Sequence, residues 1–494
     1  EVKENGLKTD AEIKIPLKSV QVSEAAKVQA KPDPLASYTV KKGETAYGIA
    51  KSQGVSLDEL AVANSLFPTG IREGMVIRIP KPRSSVAPVV KESTQNDGAE
   101  SPKQVETAVT PNLQTLDSNT YHIGLLLPMN PVSPNSGREA QFTISEHARV
   151  ALSFYRGFQF GVDSFSQKLS VKCKITLYSV GNDSASLKAF TSKAEFDSLH
   201  VLVGPFYTDQ FEKVATKMAQ HGGIAICPMP KPSKLLFRHP NAVKTTPSES
   251  MQLNSLAEYI ASEMKDSNLL LVNSNKFQDQ ENVEFFKTQY ARACGVPDTF
   301  SGDAIREIKL WNINYETMKM RFRDSGSYVL IVPSTNRVFI TKFLSELYNL
   351  TYREPGKYHF RLIGLSEWQK LDEDIDIRHL HQLNVTLPLV SYVDFRNYKI
   401  NNFYKSYHQK FGFEPDALTL QGFDLAAYLL SELTYRPTEW LQAPEKYRYD
   451  GILDVYDFKR IMADSGIENR FIKLFEYDNY TLKEFAQWPI QRMK

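Results

Sequence analysis

The residues that could catalyse a reaction or bind a metal are scattered along this chain rather than grouped in a known motif. The 9 histidines show no H-E-x-x-H spacing, and His379 with His381 forms an isolated H-x-H pair. The sequence contains no G-x-S-x-G elbow and no glycine-rich phosphate loop. We therefore predict a protein that is not an enzyme and that needs no metal or cofactor.

Acids and thiols are the remaining candidates for chemistry. Asp454 and Asp457 lie in the predicted hairpin stretch ILDVYDFKR, where acids commonly cap turns. The acidic run LDEDIDIR at 371–378 lacks the glycine and the terminal glutamate of a calcium loop, so we interpret it as a solvated surface. Cys173 and Cys227 lie in apolar, strand-like runs, which predicts buried and unreactive thiols rather than a disulfide framework.

The composition indicates a globular protein of two or three domains. The chain has 494 residues, 42% of them hydrophobic, and its 59 Lys and Arg nearly balance 57 Asp and Glu. This balance gives no general attraction to nucleic acid or to an anionic membrane. No apolar run approaches the roughly 20 residues that a membrane-spanning helix needs. Because the chain begins at Glu1 rather than Met, we expect a secreted protein whose signal has been removed.

Composition also predicts the domain boundaries. Residues 1–36 lack periodicity and large apolar groups, which is typical of a disordered leader. Residues 37–82 form a small unit. Residues 83–120 contain no aromatic residue and are rich in Ser, Thr, Pro, Gln and Glu, which predicts a flexible linker. Residues 121–494 form a large domain.

The small unit has the pattern strand, helix, helix, strand. YTVKK alternates like a strand, Gly43 permits a sharp turn, and Thr45 can cap the helix that follows. Ser56 with Glu59 forms a capping box for the second helix, and MVIRIP predicts the closing strand. A unit of this size has little room for a catalytic cleft.

Residues 37–82 resemble the LysM domain in YTVKKGET, IAKSQGVSLDEL, AN and IREGMVIRIP. The resemblance implies binding of N-acetylglucosamine-containing glycan, that is peptidoglycan, in a groove between two loops, Gly43–Tyr47 and Leu66–Gly74. At Ala46 the family more often has leucine, which predicts modest affinity. The peptidoglycan-binding residues implied in these loops are Gly43, Glu44, Thr45, Ala46, Leu66, Phe67, Gly70 and Ile71.

The large domain alternates apolar strands with amphipathic helices. YHIGLLLP, VKCKITLYSV, HVLVGPF, GGIAICPM, SNLLLVNS, SYVLIVPS and FRLIGLSEW read as buried strands. Helical patterns cover 148–165, 208–221 and 248–264. This alternation predicts a doubly wound α/β fold, and more than 300 residues of it predict two lobes with a cleft. The last strand-rich stretches predict a closing hairpin.

Several motifs of this domain resemble the type-1 periplasmic binding proteins, in the branch of the branched-chain amino acid receptors. They include YHIGLLLP, FYRGFQFGVDSF, LVGPFYTDQFEKVA, AVKTTPSESMQ, YKSYHQKFGFEPDALTLQGFDLAAYLLSEL and YDGILDVYDFKR. The resemblance implies that a receptor would hold an amino acid with hydroxyls and free N–H groups from two loops. Here those loops are Gly204–Thr208 and Cys227–Ser233, and the second contains three prolines that cannot donate.

The loop Cys227–Ser233 has few hydrogen-bond donors, which favours a protein-binding role for this domain over amino-acid binding. The same fold without a small ligand occurs in outer-membrane lipoproteins that activate peptidoglycan synthases, and the loop at 129–147 is unusually long and polar. An equally plain interpretation of that loop is a solvated insertion. The candidate residues for a cleft or a partner surface are Phe206, Tyr207, Thr208, Lys231, Ser233 and Trp368.

We therefore predict a periplasmic or cell-envelope protein with a peptidoglycan anchor. Its large domain acts as an adaptor for an envelope protein complex of wall synthesis, secretion or outer-membrane assembly. The alternative is a peptidoglycan-anchored solute receptor for an amino acid or another small polar ligand, whose pocket Lys231, Ser233 and Trp368 would build.

Overall fold

A computed structural model describes most of the large domain and part of the small unit. The described residues are 36–41, 49, 52–53, 60, 74, 76–79, 120–129, 145–166, 168–169, 172–180, 183–297, 302–322, 324–371, 375–442 and 446–490. None of the helices within these residues is long and apolar enough to cross a membrane.

The strands and helices are numbered in chain order. The strands are β1 Ala36–Thr39, β2 Val76–Ile79, β3 Tyr121–Leu127, β4 Cys173–Ser179, β5 Val201–Val203, β6 Ile224–Cys227, β7 Ala242–Lys244, β8 Leu269–Asn273, β9 Glu307–Lys309, β10 Gly326–Ile331, β11 Tyr358–Ile363, β12 Val385–Leu389, β13 Tyr449–Asp450, β14 Val455–Tyr456, β15 Phe458–Arg460, β16 Ile467–Asn469, β17 Ile472–Asp478 and β18 Thr481–Trp488. The helices are α1 Glu146–Phe165, α2 Ser184–Thr191, α3 Thr208–Gln220, α4 Glu249–Glu263, α5 Phe277–Ala293, α6 Tyr315–Arg321, α7 Arg337–Arg353, α8 Ile377–Gln382, α9 Tyr398–Phe411, α10 Ala417–Tyr435 and α11 Pro437–Gln442.

The first and last strands of the small unit pair with each other. β1 and β2 are antiparallel, with Tyr38 opposite Ile77. Ile77 is buried, as are Ile49 and Leu60 from the segment between the strands. The apolar positions of the sequence pattern thus form the core of this unit.

The described part of the large domain contains two sheets of seven strands each and a two-stranded antiparallel pair, β13–β14. The first has the order β4-β3-β5-β6-β7-β16-β15, in which only the β15–β16 pair is antiparallel. The second has the order β9-β8-β10-β11-β12-β17-β18 and is parallel from β9 to β12. Strands β5 and β6 are buried throughout because helices cover both faces. The predicted α/β fold with two doubly wound lobes is confirmed.

The chain crosses between the lobes at three places in its described part. It leaves the first lobe after β7, returns after β12, and leaves again between β16 and β17. The predicted hairpin is formed by β17 and β18, which turn at Asn479 and Tyr480, both with positive φ. The other predicted hairpin segment, YDGILDVYDFKR, forms the antiparallel pair β13–β14 and then supplies β15 to the first sheet. The two strand-rich stretches therefore close different lobes.

Helices α1 and α10 pack at backbone contact distance in the first lobe. A Cβ atom on Gly157 would lie 1.8 Å from the carbonyl oxygen of Thr419, and one on Gly422 would lie 2.1 Å from that of Phe154. Only glycine permits this approach. The contact fixes the return of the chain from the second lobe onto the first, where Leu425 and Leu429 join the core around β3 and β5.

Candidate functional site

The predicted glycan-binding residues of the small unit lie outside the described residues. They are Gly43, Glu44, Thr45, Ala46, Leu66, Phe67, Gly70 and Ile71, and their role stays a prediction. The end of the second predicted loop is described. Gly74 has φ +80° and donates its N–H to the Val40 carbonyl at 2.9 Å, which joins this loop end to the end of β1.

In the large domain, topology locates one candidate crevice in each lobe. Strand order reverses between β3 and β5 in the first sheet and between β8 and β10 in the second. In open α/β sheets, ligands bind outside the carboxyl ends of the strands at such a switch point. The loops after these four strands are therefore where a small-molecule site would lie.

Phe206 fills the switch point of the first lobe. Its side chain is only 6% exposed, and its ring meets the edge of Phe154 on α1 at a centroid distance of 5.5 Å. Gly204, with φ +96°, allows the loop to turn inward, since a Cβ there would lie 2.3 Å from the Leu126 carbonyl oxygen. Phe206 therefore belongs to the first-lobe core.

Tyr207 and Thr208 lie at the start of α3. Tyr207 is half-buried, its ring lies 5.7 Å from that of His147 at the start of α1, and burial raises its pKa. Thr208 is the first residue of α3, and its side chain lies outside the described part of the structure. The edge of the first lobe thus presents Tyr207 and His147 beside the Phe206 ring.

The proline-rich loop after β6 is bonded to the first crossing segment. The Ser233 hydroxyl lies 2.7 Å from that of Ser248, the N-cap of α4, and the Thr246 hydroxyl donates to the Pro228 carbonyl at 2.9 Å. Ser233 is buried, whereas Lys231 is half-buried. Ser233 therefore joins the lobes, and Lys231 is the candidate of this loop that reaches solvent.

Trp368 lies in the core of the second lobe. It is 2% exposed, its indole N–H donates to the Ser334 carbonyl at 2.9 Å, and its ring covers Gly364. The six candidate residues are thus distributed over both lobes. Phe206, Ser233 and Trp368 are buried, and only Tyr207 and Lys231 have described side chains that reach solvent. Their role in binding stays a prediction.

Asp279, which the sequence reading missed, fills the switch point of the second lobe. It lies in the first turn of α5 and is completely buried. Its carboxylate accepts hydrogen bonds from the Ser274 and Ser334 hydroxyls at 2.5 Å and from the Thr335 N–H at 3.0 Å. The sequence did contain a signal for this arrangement. Two apolar strands end in hydroxyl residues, LLLVNS and VLIVPST, and Asp279 follows the first of them by five residues.

Buried charges join the two lobes at the crossings. Lys244 and Glu468 pair at 2.9 Å with both side chains fully buried, and Glu468 also accepts the N–H of Ser248 at 2.6 Å. Glu258 on α4 accepts from Lys459 on β15 at 2.9 Å. Burial alone raises the pKa of Glu258, but the hydrogen bond and charge of Lys459 outweigh it and lower the pKa.

Asp424 fixes the turn that lies beside the second crossing. It accepts the backbone N–H groups of residues 452, 453 and 454 at 2.7–2.9 Å, and burial, with the nearby Asp454 carboxylate, raises its pKa to about 7. Asp454 accepts from the Ser391 hydroxyl at 2.9 Å, and burial raises its pKa to about 6. Asp457 pairs with Arg470 at 2.8 Å. These acids hold the crossings in place.

The thiols and metal-binding residue types form no evident chemical site. Cys227 is buried, Cys173 is half-buried and Cys294 is exposed, and each is a free thiol. Burial raises the pKa of Cys173 to about 11, so its thiol stays protonated at neutral pH. Within the described ranges, no three His, Cys, Asp or Glu side chains lie close enough to hold a metal ion.

Comparison with known proteins supports both parts of this architecture. The family model of the LysM domain matches residues 38–80. A protein from Rhodospirillum rubrum, described as a branched-chain amino acid ABC transporter, superimposes with a TM-score of 0.51 and 11% identity, over 74% of this chain and 100% of that one. The sequence matches none of the curated proteins with which it was compared.

Two further structures superimpose with lower TM-scores. The C-domain of LpoA from Haemophilus influenzae, a regulator of PBP1A, gives a TM-score of 0.47 at 14% identity. A leucine-bound ABC transporter substrate-binding protein from Desulfitobacterium hafniense gives 0.43 at 13% identity. Each covers 74% of this chain and 100% of its own. The chain therefore combines a LysM domain at residues 38–80 with a large domain that has the two-lobed fold of type-1 periplasmic binding proteins.

Proposed function

We propose that this protein is a non-enzymatic cell-envelope protein that binds peptidoglycan through its LysM domain and uses its large domain as an adaptor for an envelope protein complex. The observation that carries the adaptor role is that each lobe fills its own switch point. Phe206 occupies one crevice and the Asp279 carboxylate occupies the other.

The chemistry of the two crevices argues against an amino-acid ligand. Such a ligand needs free donors for its carboxylate. In the first lobe the loop after β5 turns Phe206 inward, and the loop after β6 contains three prolines. In the second lobe the hydroxyls of Ser274 and Ser334 already donate to Asp279. A ligand carboxylate would have to displace an internal one.

The domain order supports an anchored adaptor. Residues 83–120 have the composition of a flexible linker, so a LysM domain held on the wall would leave the large domain free to search nearby. Peptidoglycan lies outside the cytoplasmic membrane, which supports a location in the periplasm or cell envelope. A receptor that must diffuse to a transporter would gain nothing from such an anchor.

One observation keeps the receptor alternative open. The second lobe has a narrow, solvent-open pocket with an accessible volume of about 20 Å³, the space of about one water molecule, so it would have to widen to hold a solute. Glu249 and Glu367 lie in its wall, and burial together with the Glu367 carboxylate raises the pKa of Glu249. Lys231 and Tyr207 also reach solvent at the edge of the first lobe. These groups would suit a small polar solute.

A paired experiment separates the two roles. The full chain is screened for thermal stabilisation and calorimetric binding against amino acids and wall fragments, and it is crosslinked in cells to identify partners. A receptor at a hundredfold excess of ligand over Kd should gain about 2.7 kcal/mol of stability. The adaptor proposal expects no saturable amino-acid response and a specific crosslinked envelope protein. Micromolar binding of an amino acid without any crosslinked partner would overturn it.

The glycan role is tested separately by sedimentation with purified peptidoglycan. The full chain should sediment with the wall, and deletion of 37–82 should abolish this. Thr45→Ala tests the predicted groove with a single substitution, and it should weaken sedimentation with the wall. If the deleted chain sediments equally well, the LysM domain is not the anchor.

A further inference from the structure

Helix α4 of the second lobe is bonded along its length to the first lobe and to the crossings. At its start, the backbone N–H of Ser248 donates to the Glu468 carboxylate on β16 at 2.6 Å. About two turns later, the buried Ser255 hydroxyl donates to the carbonyl of Arg470, in the third crossing, at 2.6 Å. These two contacts lie at the crossings, where any movement between the lobes must hinge.

Glu258 makes the third contact of α4, farther from the crossings. Its Oε1 accepts from Lys459 on β15 of the first lobe at 2.9 Å, and its Oε2 accepts the indole N–H of Trp488 at 3.2 Å. Trp488 ends β18, and its ring meets that of Tyr259 on α4 edge to face at a centroid distance of 6.1 Å. Glu258 therefore joins two elements of the second lobe, α4 and β18, to β15 of the first.

The segment after β18 forms a further, non-covalent connection to the first lobe. The Pro489 carbonyl accepts from the Arg448 guanidinium at 2.7 Å. Arg448 directly precedes β13, and the next residue, Tyr449, packs on the first-lobe core. The guanidinium also lies over the ring of Phe471 in the third crossing, 4.7 Å from the ring centroid. The last strand of the second sheet is thus fastened to the first lobe.

The spacing of these contacts opposes a hinge movement between the lobes. At 1.5 Å per residue, Ser248 and Glu258 lie about 15 Å apart along α4. If α4 swung by about 15° about Ser248, Glu258 would move by about 4 Å, which is more than a hydrogen bond can stretch. The contacts at both ends of α4 therefore hold together in one relative orientation of the lobes.

We propose that these contacts form an interlobe lock, which prevents the hinge closure by which two-lobed binding proteins enclose a ligand. The interlobe lock consists of Ser248, Ser255, Glu258, Trp488 and Arg448 with the groups that they bond. It goes beyond the adaptor function and does not depend on it. A partner of the locked domain would meet a surface that spans both lobes and is already shaped before binding, which lowers the entropic cost of association.

A distance measurement between the lobes of the full chain tests the lock directly. Cys294 is an exposed thiol of the second lobe, and Ala189→Cys adds one on the exposed side of α2 in the first lobe. Cys173→Ser removes the half-buried thiol, and Cys227 is buried. Double electron–electron resonance between nitroxide labels should give a single distance that shifts by less than about 1 Å when amino acids or wall fragments are added. A second population, or a shift of more than about 2 Å with any of these compounds, would overturn the proposal.

A matched pair of variants on α4 tests whether these side chains make the lock. Ser255→Ala with Glu258→Ala removes two of the contacts and should broaden the distance distribution by more than about 2 Å. Ser262→Ala with Glu263→Ala makes the same changes at two exposed residues of α4 and should leave it narrow. Equal distributions in the two variants, narrow or broad, would show that these residues do not hold the lobes. Lys459→Ala removes the first-lobe partner of Glu258 at a partly exposed position, so it should broaden the distribution even if the first variant does not fold.

Crosslinking in cells tests the adaptor function separately from the lock. If the chain captures an envelope protein but its lobes close on a compound, the lock is wrong and the adaptor function stands. If the lobes stay fixed and no partner is captured, the lock stands and the adaptor function fails. Closure on an amino acid would overturn the lock and support the receptor alternative.

Discussion

The two lobes place opposite chemistry at equivalent topological positions. At the switch point of the first lobe, the Phe206 ring packs on Phe154 in an apolar core. At that of the second lobe, the Asp279 carboxylate is held by two hydroxyls and a backbone N–H. The first lobe fills this position with an aromatic ring, whereas the second fills it with a carboxylate that hydroxyl donors surround.

This difference shows why hydroxyl residues at strand ends do not identify a ligand site by themselves. Ser274 and Ser334 stand where a receptor could hold a carboxylate, but an internal carboxylate is already bound to them. A filled crevice can therefore be apolar or polar. The two types respond differently when the filling side chain is removed.

The largest expected loss of stability is at the apolar crevice of the first lobe. Phe206→Ala should lower the free energy of unfolding by about 3 kcal/mol, because it removes a buried ring and leaves a cavity. Urea denaturation of the full chain measures this loss. Phe395→Ala, which truncates a ring that is 56% exposed, is the control and should cost less than about 1 kcal/mol. Equal losses in the two variants would show that Phe206 does not fill a closed crevice.

Removing the Asp279 carboxylate from the crevice of the second lobe should lower the free energy of unfolding somewhat less. Asp279→Ala should cost about 2 kcal/mol, since it leaves buried hydroxyls and the Thr335 N–H without an acceptor. Asp279→Asn retains one carbonyl oxygen and should cost less than the alanine variant. Denaturation of both variants checks this order. A larger loss for asparagine than for alanine would contradict an acceptor role for Asp279.

Sequence periodicity identified most of the fold because burial leaves a strong local pattern. The stretches YHIGLLLP, GGIAICPM and SYVLIVPS each contain a strand, β3, β6 and β10, and the predicted helices at 148–165, 208–221 and 248–264 correspond to α1, α3 and α4. Short strands such as β7 and β16 were missed, because three residues cannot establish a period. Their position in the sheet depends on partners more than 200 residues apart in the chain.

The candidate crevices were harder to predict from the sequence. Phe206 was correctly placed in the loop after a strand, but a residue type does not tell whether its ring points into a cleft or into the core. Asp279 looks like any acid in the first turn of a helix. Its role depends on Ser334, 55 residues away, which only the parallel pairing of β8 with β10 brings beside it.

Small molecules can sharpen the contrast between the lobes. Benzene should stabilise Phe206→Ala and acetate should stabilise Asp279→Ala, each by about 1.4 kcal/mol at ten times the Kd of the complex. Thermal denaturation with each compound measures the effect, and the wild type with both crevices filled is the control. If one compound stabilises both variants equally, the crevices do not differ in the way described.

The smallest expected effect on stability concerns a second acid of helix α5. Glu281 lies two residues after Asp279 on α5, and burial raises its pKa to about 7. The pKa of Glu281 is higher in the folded than in the unfolded protein. Its contribution to the stability is therefore fully present below pH 4.5 and is lost as the pH rises through 7. Glu281→Gln stays neutral throughout, so its stability relative to the wild type should rise by about 1 kcal/mol between pH 5 and pH 6. Urea denaturation at both pH values checks this difference, and a gap that is constant with pH would mean that Glu281 is not the titrating group.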